Sequence, residues 1–494
     1  MKKITIIFIA LCAISLASCK DFLDVKPTNQ VSSDASISTP SDAGVLMNAI
    51  MRMMCNGAYY GRTFIMYGDA KGGDLAIESQ GRGLSDLYAF NHYATSGSYS
   101  DFWTYLYNIT MQLNTVILNI DKMVAAGNTT AVLKNYQAQA LSLRAMVYFD
   151  LVRLYGKPYT MDKASYGVPL VLEPLDASAQ PTRASVEAVY TQILKDLKDA
   201  ESLFTAKAKS NGYMNYFANM ALQAKVNLYM GNYAAALAAA ETVINSGVYT
   251  LYANAGWVNS WKSQYGSESI FELAMNAGEA DLTTGSLGIY LRTANHGSSA
   301  ATSQYIISDF YINRLKQDPT DVRFGILTND RHVQFVPEGR PFGSCYKYSG
   351  GLNLEGDGKG NSTAVNIKVI RLSDVVLMAA EAALGANNKD KAASYLNMIR
   401  KRAPGLAEAT AANVTIDMIL DERSKELLCE GHRFFDMMRL NKTVVLNDEL
   451  IFPSVVIVHR GKTVDRTFPK AILPIPKGEI DANPPIGAQQ NPGY

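Results

Sequence analysis

The sequence predicts a mostly α-helical fold, in which a scaffold of repeated helix pairs carries long loop-rich insertions and few short strands. Three observations lead to this fold class. Apolar residues recur at helical spacing in several long segments, and two of these segments are helix–turn–helix pairs of similar design. Stretches rich in glycine, serine, asparagine and tyrosine separate them and lack that spacing. The chain has 494 residues, which is enough to bury a large core.

Long single helices come first along the chain. Helices are predicted over residues 41–54, 101–123, 130–155 and 185–204. Ser41 is a suitable N-cap for the first and Ser185 for the fourth, because a serine hydroxyl accepts a hydrogen bond from an unpaired backbone N–H. Gly156 ends the third helix, and Pro158 prevents its continuation.

Two helix pairs follow these single helices. In residues 221–247, two helical arms meet at Gly231, which is followed by Tyr233 and Ala236. This Gly-x-Tyr-x-x-Ala pattern resembles the turn of a tetratricopeptide repeat, in which small residues let the paired helices pack closely. A related pair occupies residues 374–403. We therefore expect a tetratricopeptide-like scaffold.

The remaining segments interrupt that scaffold. We assign the scaffold to about 101–250 and 366–440, and the loop-rich insertions to about 56–100 and 250–365. The tail from residue 444 is predicted to form short strands and turns. Together these segments make one predicted domain, 41–494. Because long loops in a compact domain tend to carry function, the insertions are the predicted source of ligand contacts.

The amino-terminal segment has the composition of a secretory signal. Two lysines precede an apolar run that is shorter than the roughly 20 residues needed to cross a bilayer. Residues 16–19, Leu-Ala-Ser-Cys, resemble a bacterial lipobox, in which Cys19 is acylated and becomes the first mature residue. This predicts a signal peptide over 1–18 and a lipidated tether over 19–40, since several acyl chains hold a protein at a membrane. Ordinary secretion with an unrelated cysteine is the alternative.

Charge and motifs exclude several classes of function. Loss of residues 1–18 removes two lysines and no acid, so the formal net charge of +1 becomes about −1 and leaves no basic footprint for nucleic acid. The five histidines lie outside any HExxH motif, and no GxSxG nucleophile elbow occurs. No metal or cofactor is expected. Cys55, Cys345 and Cys429 are odd in number and widely spaced, so we expect buried free thiols. One disulfide between two of them stays open as the alternative.

Seven segments, in their order along the chain, resemble one protein family. They cover residues 19–24, 103–114, 143–156, 370–384, 395–403, 422–440 and 473–494, and so span nearly the whole sequence. The family is the SusD/RagB group of nutrient-binding outer-membrane lipoproteins. The resemblance implies a SusD-like helical fold, lipidation at Cys19 and exposure at the cell surface, where Lys20-Asp21 resembles an export signal.

The same resemblance implies binding without catalysis. Such proteins capture oligomeric nutrients and deliver them to a partner, a SusC-like TonB-dependent β-barrel transporter of the outer membrane. An oligosaccharide is the first expectation for the ligand. A peptide stays open as the alternative, because tryptophan is scarce and only Trp257 and Trp261 lie outside the framework segments. A surface hydrolase and a structural assembly lipoprotein are the further alternatives.

Candidate ligand-binding residues come from the two insertions, because the first long loop region is a common source of binding residues in the family. Tyrosine rings present flat apolar faces to a sugar or a peptide side chain, and polar side chains orient it through hydrogen bonds. The candidates are Asp74, Arg82, Tyr88, Asn91, His92, Tyr93, Tyr99, Tyr290, Tyr305 and Tyr311.

Three other features receive structural predictions. Residues 356–360 form a predicted flexible turn rather than a phosphate loop, because they lack the GK[ST] ending, and Glu355 and Asp357 stay open as calcium donors. Trp103 lies on an apolar helical face and is assigned to the core. A set of glutamates recurs at four-residue spacing on one predicted helical face: Glu422, Glu426 and Glu430. We assign this set to a structural ion network rather than to an active site.

Overall fold

The structure is a computed structural model. It describes residues 37–77, 85–95, 97–176, 178–278, 282–301, 304–328, 343–450 and 457–494. The predicted signal peptide, Cys19, the tether up to residue 36 and Arg82 lie outside the described residues. Across the described ranges, no helix combines the length and the hydrophobicity that crossing a bilayer requires.

Helices account for most of the regular structure. Up to the second insertion they are α1 (Pro40–Met54), α2 (Thr63–Ala70), α3 (Ser85–Ala89), α4 (Gly97–Ala125), α5 (Ala131–Tyr155), α6 (Tyr159–Asp162), α7 (Val186–Leu203), α8 (Tyr216–Met230) and α9 (Tyr233–Ile244). The second insertion contains α10 (Asn254–Trp257), α11 (Leu282–Gly285), α12 (Leu287–Tyr290) and α13 (Asp309–Leu315). After it come α14 (Leu372–Gly385), α15 (Lys389–Arg400), α16 (Ile416–Glu426), α17 (Arg433–Arg439), α18 (Lys477–Ala482) and α19 (Pro484–Gly487). Short 3-10 helices cover Asn259–Lys262, Val322–Ile326, Lys347–Ser349, Asp448–Leu450 and Pro469–Ala471.

Short strands supplement the helices, as predicted. They are β1 (Leu75–Ile77), β2 (Ser269–Leu273), β3 (Tyr305–Ile307), β4 (Ile367–Arg371), β5 (Val444–Val445) and β6 (Thr463–Val464). β1 pairs with β3, β2 with β4 and β5 with β6, each time antiparallel. The β1–β3 ribbon joins the two insertions, because each of them supplies one strand.

The helix pairs stack into one scaffold. α4 packs on α5, α5 on α7, α8 on α9, and α14 on α15. α9 also packs on α14, so the second insertion separates the two helix pairs in sequence but not in space. Gly231 follows α8 in the left-handed conformation with φ 78°, and a Cβ on Gly385 would lie 2.5 Å from the ring of Tyr233. The mostly α-helical fold class is thereby confirmed.

Helix starts agree with the prediction at α7 and differ from it at α1. Ser185 caps α7 with its side-chain oxygen. α1 begins at Pro40, and its N-cap is Thr39: Oγ1 accepts from the Asp42 N–H at 3.2 Å, while the Asp42 carboxylate accepts from the Thr39 N–H at 2.8 Å. The prediction of Ser41 as N-cap was wrong, because proline suits the first position of a helix and does not have to precede it.

The first insertion contains more regular structure than predicted. α2, β1 and α3 lie within 56–100, and α4 begins at Gly97 instead of Asp101. Every residue of α2 is buried. A helix that is buried on all sides has no polar face, so its sequence shows no 3.6-residue periodicity. For this reason α2 was not predicted within this loop-rich insertion.

The main hydrophobic core extends from Ile37 to Ile486 and includes residues of both insertions. Trp103 is 3% exposed, and its Nε1 donates to the Glu479 carboxylate at 3.0 Å, which confirms its assignment to the core. The three cysteines of the described chain, Cys55, Cys345 and Cys429, are buried free thiols.

A buried ion network joins the second insertion to the carboxyl-terminal helices. Arg371 donates from Nη1 to Glu268 at 3.0 Å and to Glu426 at 3.1 Å, and from Nε and Nη2 to Glu430 at 2.8 Å. Glu422 is also buried and ion-paired. These contacts confirm the assignment to a structural network. The prediction that all three glutamates lie on one helical face was wrong for Glu430, because α16 ends at Glu426.

Both tryptophans of the second insertion belong to this network. Trp257 and Trp261 are 0% and 1% exposed, and the Trp257 Nε1 donates to Glu426 at 3.0 Å. Burial raises the pKa of Glu426, but the surrounding arginines, led by Arg402, lower it to about 2. The carboxylate is therefore charged at neutral pH, and neither ring forms a surface platform for a ligand.

Candidate functional site

The candidate site lies at one end of the β1–β3 ribbon, where the two insertions meet. Ile77 ends β1 and pairs with Tyr305, the first residue of β3. Both strands are buried along their whole length, so the ribbon is packed into the core. Five side chains from both insertions lie around this end: Arg62 contacts Tyr290, Asn91 contacts Asp86, and the charges of Asp86 and Tyr290 act on Tyr305.

Arg62 is held in place by a tyrosine of the other insertion. Its guanidinium carbon lies 4.8 Å from the centre of the Tyr290 ring, a cation–π distance, and its Nη1 donates to the Gly285 carbonyl at 3.3 Å. Tyr290 is 6% exposed, whereas Arg62 is half-buried. The Nη2 group of Arg62 makes no hydrogen bond to any described residue. A positioned, partly exposed donor therefore remains at the surface.

A carboxylate and an amide stand beside the second tyrosine. Asn91 donates from Nδ2 to Oδ1 of Asp86 at 3.1 Å, and both side chains are half-buried. The other carboxylate oxygen of Asp86 accepts no hydrogen bond from a described residue. Burial, and then the charges of Asp86 and Tyr290, raise the pKa of Tyr305, so its hydroxyl stays protonated. Arg62 and Asp86 thus offer a donor and an acceptor to a polar ligand, next to tyrosine rings that are themselves buried.

The opposite end of the ribbon borders a cavity of 320 Å³. Gly73 of the first insertion, Phe310 and Arg314 of α13, and Val445 of β5 line it. Arg314 pairs with the buried carboxylate of Asp74 at 2.6 Å, so its charge is compensated inside the protein. Both ends of the ribbon are therefore concave or polar surfaces shared by the two insertions.

Two predicted ligand residues of the first insertion support it from inside. Asp74 is 1% exposed and accepts from Arg314 and from the Ser424 hydroxyl at 2.7 Å. Burial raises its pKa, but Arg314 and nearby positive charge lower it further, so the carboxylate is charged. Tyr88 is fully buried and donates to Asp448 at 2.9 Å. Contact of these residues with ligand stays a prediction.

His92 and Tyr311 are buried in the same way. The ring nitrogens of His92 lie 3.2 Å from the Lys71 ammonium and 3.1 Å from the Tyr494 hydroxyl. Tyr311 donates to the Lys425 carbonyl at 3.0 Å. These contacts tie the insertions to the carboxyl-terminal part of the chain.

The structure places the other predicted residues differently. Tyr93 is 50% exposed, and Tyr99 lies in the first turn of α4. Asn91, Tyr290 and Tyr305 meet at the ribbon end, as described above. Sequence reasoning missed Arg62 and Asp86, although both lie in the first insertion. Their only signal in the sequence is that location, because the contact with Tyr290 is tertiary.

The residues named as open calcium donors are engaged with protein groups. Glu355 pairs with Lys262, and Asp357 is buried, accepts from the Asn366 N–H at 2.7 Å and pairs with Lys359 at 3.1 Å. Residues 356–360 form turns and bends, which agrees with the predicted turn. Among the described residues, no group of histidine, cysteine, aspartate or glutamate side chains is arranged to hold a metal ion.

Two family models match this chain. Residues 342–494 match the model described as the SusD family, and residues 21–229 match the model described as starch-binding and associating with the outer membrane. Curated relatives match over nearly the whole length. A SusD-like protein (P25) of Formosa agariphila is 24% identical over 98% of both chains, and a SusD-like protein of Bacteroides ovatus is 23% identical over 88% of this chain and 82% of its own.

Solved structures match with the same coverage. A SusD superfamily protein of Bacteroides thetaiotaomicron superposes with a TM-score of 0.82 and is 31% identical, covering 92% of this chain and 100% of its own. A structure described as a sugar-binding protein of Bacteroides vulgatus superposes with a TM-score of 0.81 and is 33% identical, covering 93% and 99%.

Proposed function

Because the chain belongs to the SusD/RagB family, we propose that it captures an oligosaccharide at the cell surface and delivers it to a partner, a SusC-like TonB-dependent β-barrel transporter. Family membership places the chain at the outer membrane. The proposed anchor is a lipid on Cys19, at the end of a lipobox-like segment. The description of the amino-terminal family model as starch-binding, and the sugar-binding relative of B. vulgatus, support a carbohydrate as the ligand class.

The ribbon end is the observation that carries the proposal. Arg62 supplies unused N–H donors beside the Tyr290 ring, and Asp86 supplies an unused carboxylate oxygen next to the one that accepts from Asn91. Neighbouring sugar hydroxyls each donate and accept, so they suit a donor and an acceptor presented together. We propose that the ligand binds here, with Tyr93 as an exposed ring of the same insertion.

The binding role does not include catalysis in this proposal. Both family descriptions and the descriptions of the matched structures name a family or binding, and none names a reaction. All three tryptophans are buried, at 3%, 0% and 1% exposure for Trp103, Trp257 and Trp261. A flat tryptophan platform for a long polysaccharide is therefore absent, which favours a short or branched oligosaccharide and keeps a peptide as the second candidate.

Ligand class is tested with the purified full-length chain on an oligosaccharide array and a peptide library, followed by analysis of the bound material. We expect saturable binding of an oligosaccharide that is recovered intact. Saturable peptide binding without any glycan signal would replace the proposal by its second candidate. Shortened oligosaccharide products would overturn the non-catalytic role.

Anchor and partner are tested in the membrane. Cys19→Ser is expected to release the chain from the membrane fraction, because the acyl chains are its proposed attachment. The wild-type chain is expected to co-purify from solubilised membranes with a large β-barrel protein. Retention of the Cys19→Ser chain in the membrane fraction contradicts the lipid anchor, and purification of the wild-type chain without a barrel contradicts the partner.

A further inference from the structure

A second cavity, of 250 Å³, lies between the helical scaffold and the carboxyl-terminal segment. It is lined by residues of α5 and α17, by one side chain each from α7 and α8, and by residues 466–469, 471 and 472. None of the five side chains at the ribbon end contributes to it. The cavity is therefore separate from the proposed oligosaccharide site.

Five aromatic rings line part of the wall of this cavity. They belong to Tyr190 of α7, Tyr229 of α8, Phe434 and Phe435 of α17, and Phe468. The Phe434 and Phe435 rings lie 6.1 Å apart with their planes at 57°. Such rings receive another aromatic ring in an edge-to-face or offset arrangement, which is more favourable than area burial alone.

The charged residues that line the cavity are all basic. Arg153 pairs with Asp150, and Arg439 pairs with Glu381 and Asp436, so these two charges are compensated inside the protein. Lys157 pairs with Asp162 at 3.1 Å at the surface. Arg466 makes no ion pair with any described residue, and no aspartate or glutamate is among the lining residues. The cavity therefore favours a negatively charged ligand.

Tyr190 provides an unused hydrogen-bonding group inside the cavity. It is 3% exposed, and its ring is fixed by Phe149 at 5.9 Å and by Tyr159 at 5.0 Å between ring centres. Its hydroxyl makes no hydrogen bond within the described part of the chain. Burial raises the pKa of Tyr190, so the hydroxyl stays a donor. This hydroxyl is therefore available to donate to a ligand oxygen in the cavity.

We propose that this cavity binds a small aryl carboxylate. The aryl ring packs among the tyrosine and phenylalanine rings, one carboxylate oxygen accepts the hydrogen bond of Tyr190, and Arg466 compensates the negative charge. The volume is below the roughly 300–1,000 Å³ of pockets for drug-sized molecules, so a single-ring acid is the fitting size. This site adds a small-molecule ligand to a protein whose proposed function concerns an oligosaccharide.

The proposal is tested by equilibrium dialysis of the full-length lipidated chain in nanodiscs, with empty nanodiscs as the reference. The probes are phenylacetate, its neutral amide phenylacetamide, and hexanoate. We expect saturable binding of one phenylacetate per chain. The amide is expected to bind at least about tenfold more weakly, because hydrogen bonds to a charged group are stronger than neutral ones. If the amide binds as tightly as phenylacetate, the ligand need not be an anion. If hexanoate binds as tightly, it need not be aromatic, and either outcome overturns the assignment.

Substitutions of residues that line the cavity test whether the probe binds there. Arg466→Gln is expected to weaken phenylacetate binding about tenfold and Tyr190→Phe about three- to tenfold, while Ala471→Leu, which fills the cavity, is expected to abolish it. Lys134→Gln is the matched control: it removes an exposed charge of α5 more than two turns from the cavity and leaves binding unchanged. Thermal unfolding checks that each variant is folded. The proposal fails if no probe binds saturably, or if Arg466→Gln and Tyr190→Phe bind phenylacetate as the wild type does.

Discussion

Two clusters of charged side chains in this protein use the same chemistry in opposite ways. In the buried ion network around Arg371 and Glu426, the side chains are removed from solvent and every named carboxylate meets a guanidinium or ammonium group. At the ribbon end, Arg62 and Asp86 are half-buried, and each keeps a hydrogen-bonding atom unused. Ion pairing inside the core serves the fold, whereas hydrogen-bonding atoms left unused at a half-buried surface are available to a ligand.

The largest effect is expected where a partner is taken from the buried network. Arg371→Met removes the cation shared by Glu268, Glu426 and Glu430, and leaves the buried network one positive charge short. We expect the free energy of unfolding in urea to fall by about 3–5 kcal/mol. Lys391→Met, which breaks the exposed pair with Glu241, is the control and should change it far less. A loss at Arg371 as small as that of the control would contradict the structural role.

Acid is expected to weaken the same network. The folded pKa of Glu426 is about 2, below its ordinary value of 4.5, so its contribution is present above pH 4.5 and is lost as pH falls through about 2. The pKa shift corresponds to about 3 kcal/mol at most. Urea unfolding between pH 5 and pH 2.5 should therefore show a smaller decline for Glu426→Gln than for the wild type. Parallel declines in the two proteins would show that Glu426 is not the titrating group.

At the ribbon end, the effect should fall on binding instead of on stability. Arg62→Met keeps an unbranched apolar side chain but removes the donors and the cation–π contact with Tyr290. We expect oligosaccharide affinity, measured by calorimetry, to fall about ten- to a hundredfold, since hydrogen bonds to a charged group contribute about 1.5–3 kcal/mol. Lys134→Met should leave the affinity unchanged. If Arg62→Met instead lowers the unfolding free energy as Arg371→Met does and leaves affinity intact, the two clusters do not differ in role.

The sequence is informative about the first cluster and less so about the second. Glu422 and Glu426 lie at helical spacing, so their shared face was predictable from local geometry, whereas Glu430 lies past the end of α16. α7 was predictable because it has one apolar face, and the fully buried α2 was not. The contact of Arg62 with Tyr290 joins two insertions through the β1–β3 ribbon. Pairing of distant strands has no periodic signal, so that site could be located only to a region.

The smallest effect should come from Asn91, which acts on Asp86 rather than on the solvent side of the site. Its Nδ2 group donates to one carboxylate oxygen of Asp86 at 3.1 Å and so orients the other oxygen. Asn91→Ala removes this positioning contact and should lower oligosaccharide affinity only about two- to tenfold. In Asp86→Asn, the carboxylate that Asn91 orients is gone, so adding Asn91→Ala should have little further effect on affinity. Independent losses in the double variant would show that Asn91 contacts the ligand itself, and the division between positioning and binding groups at the ribbon end would have to be redrawn.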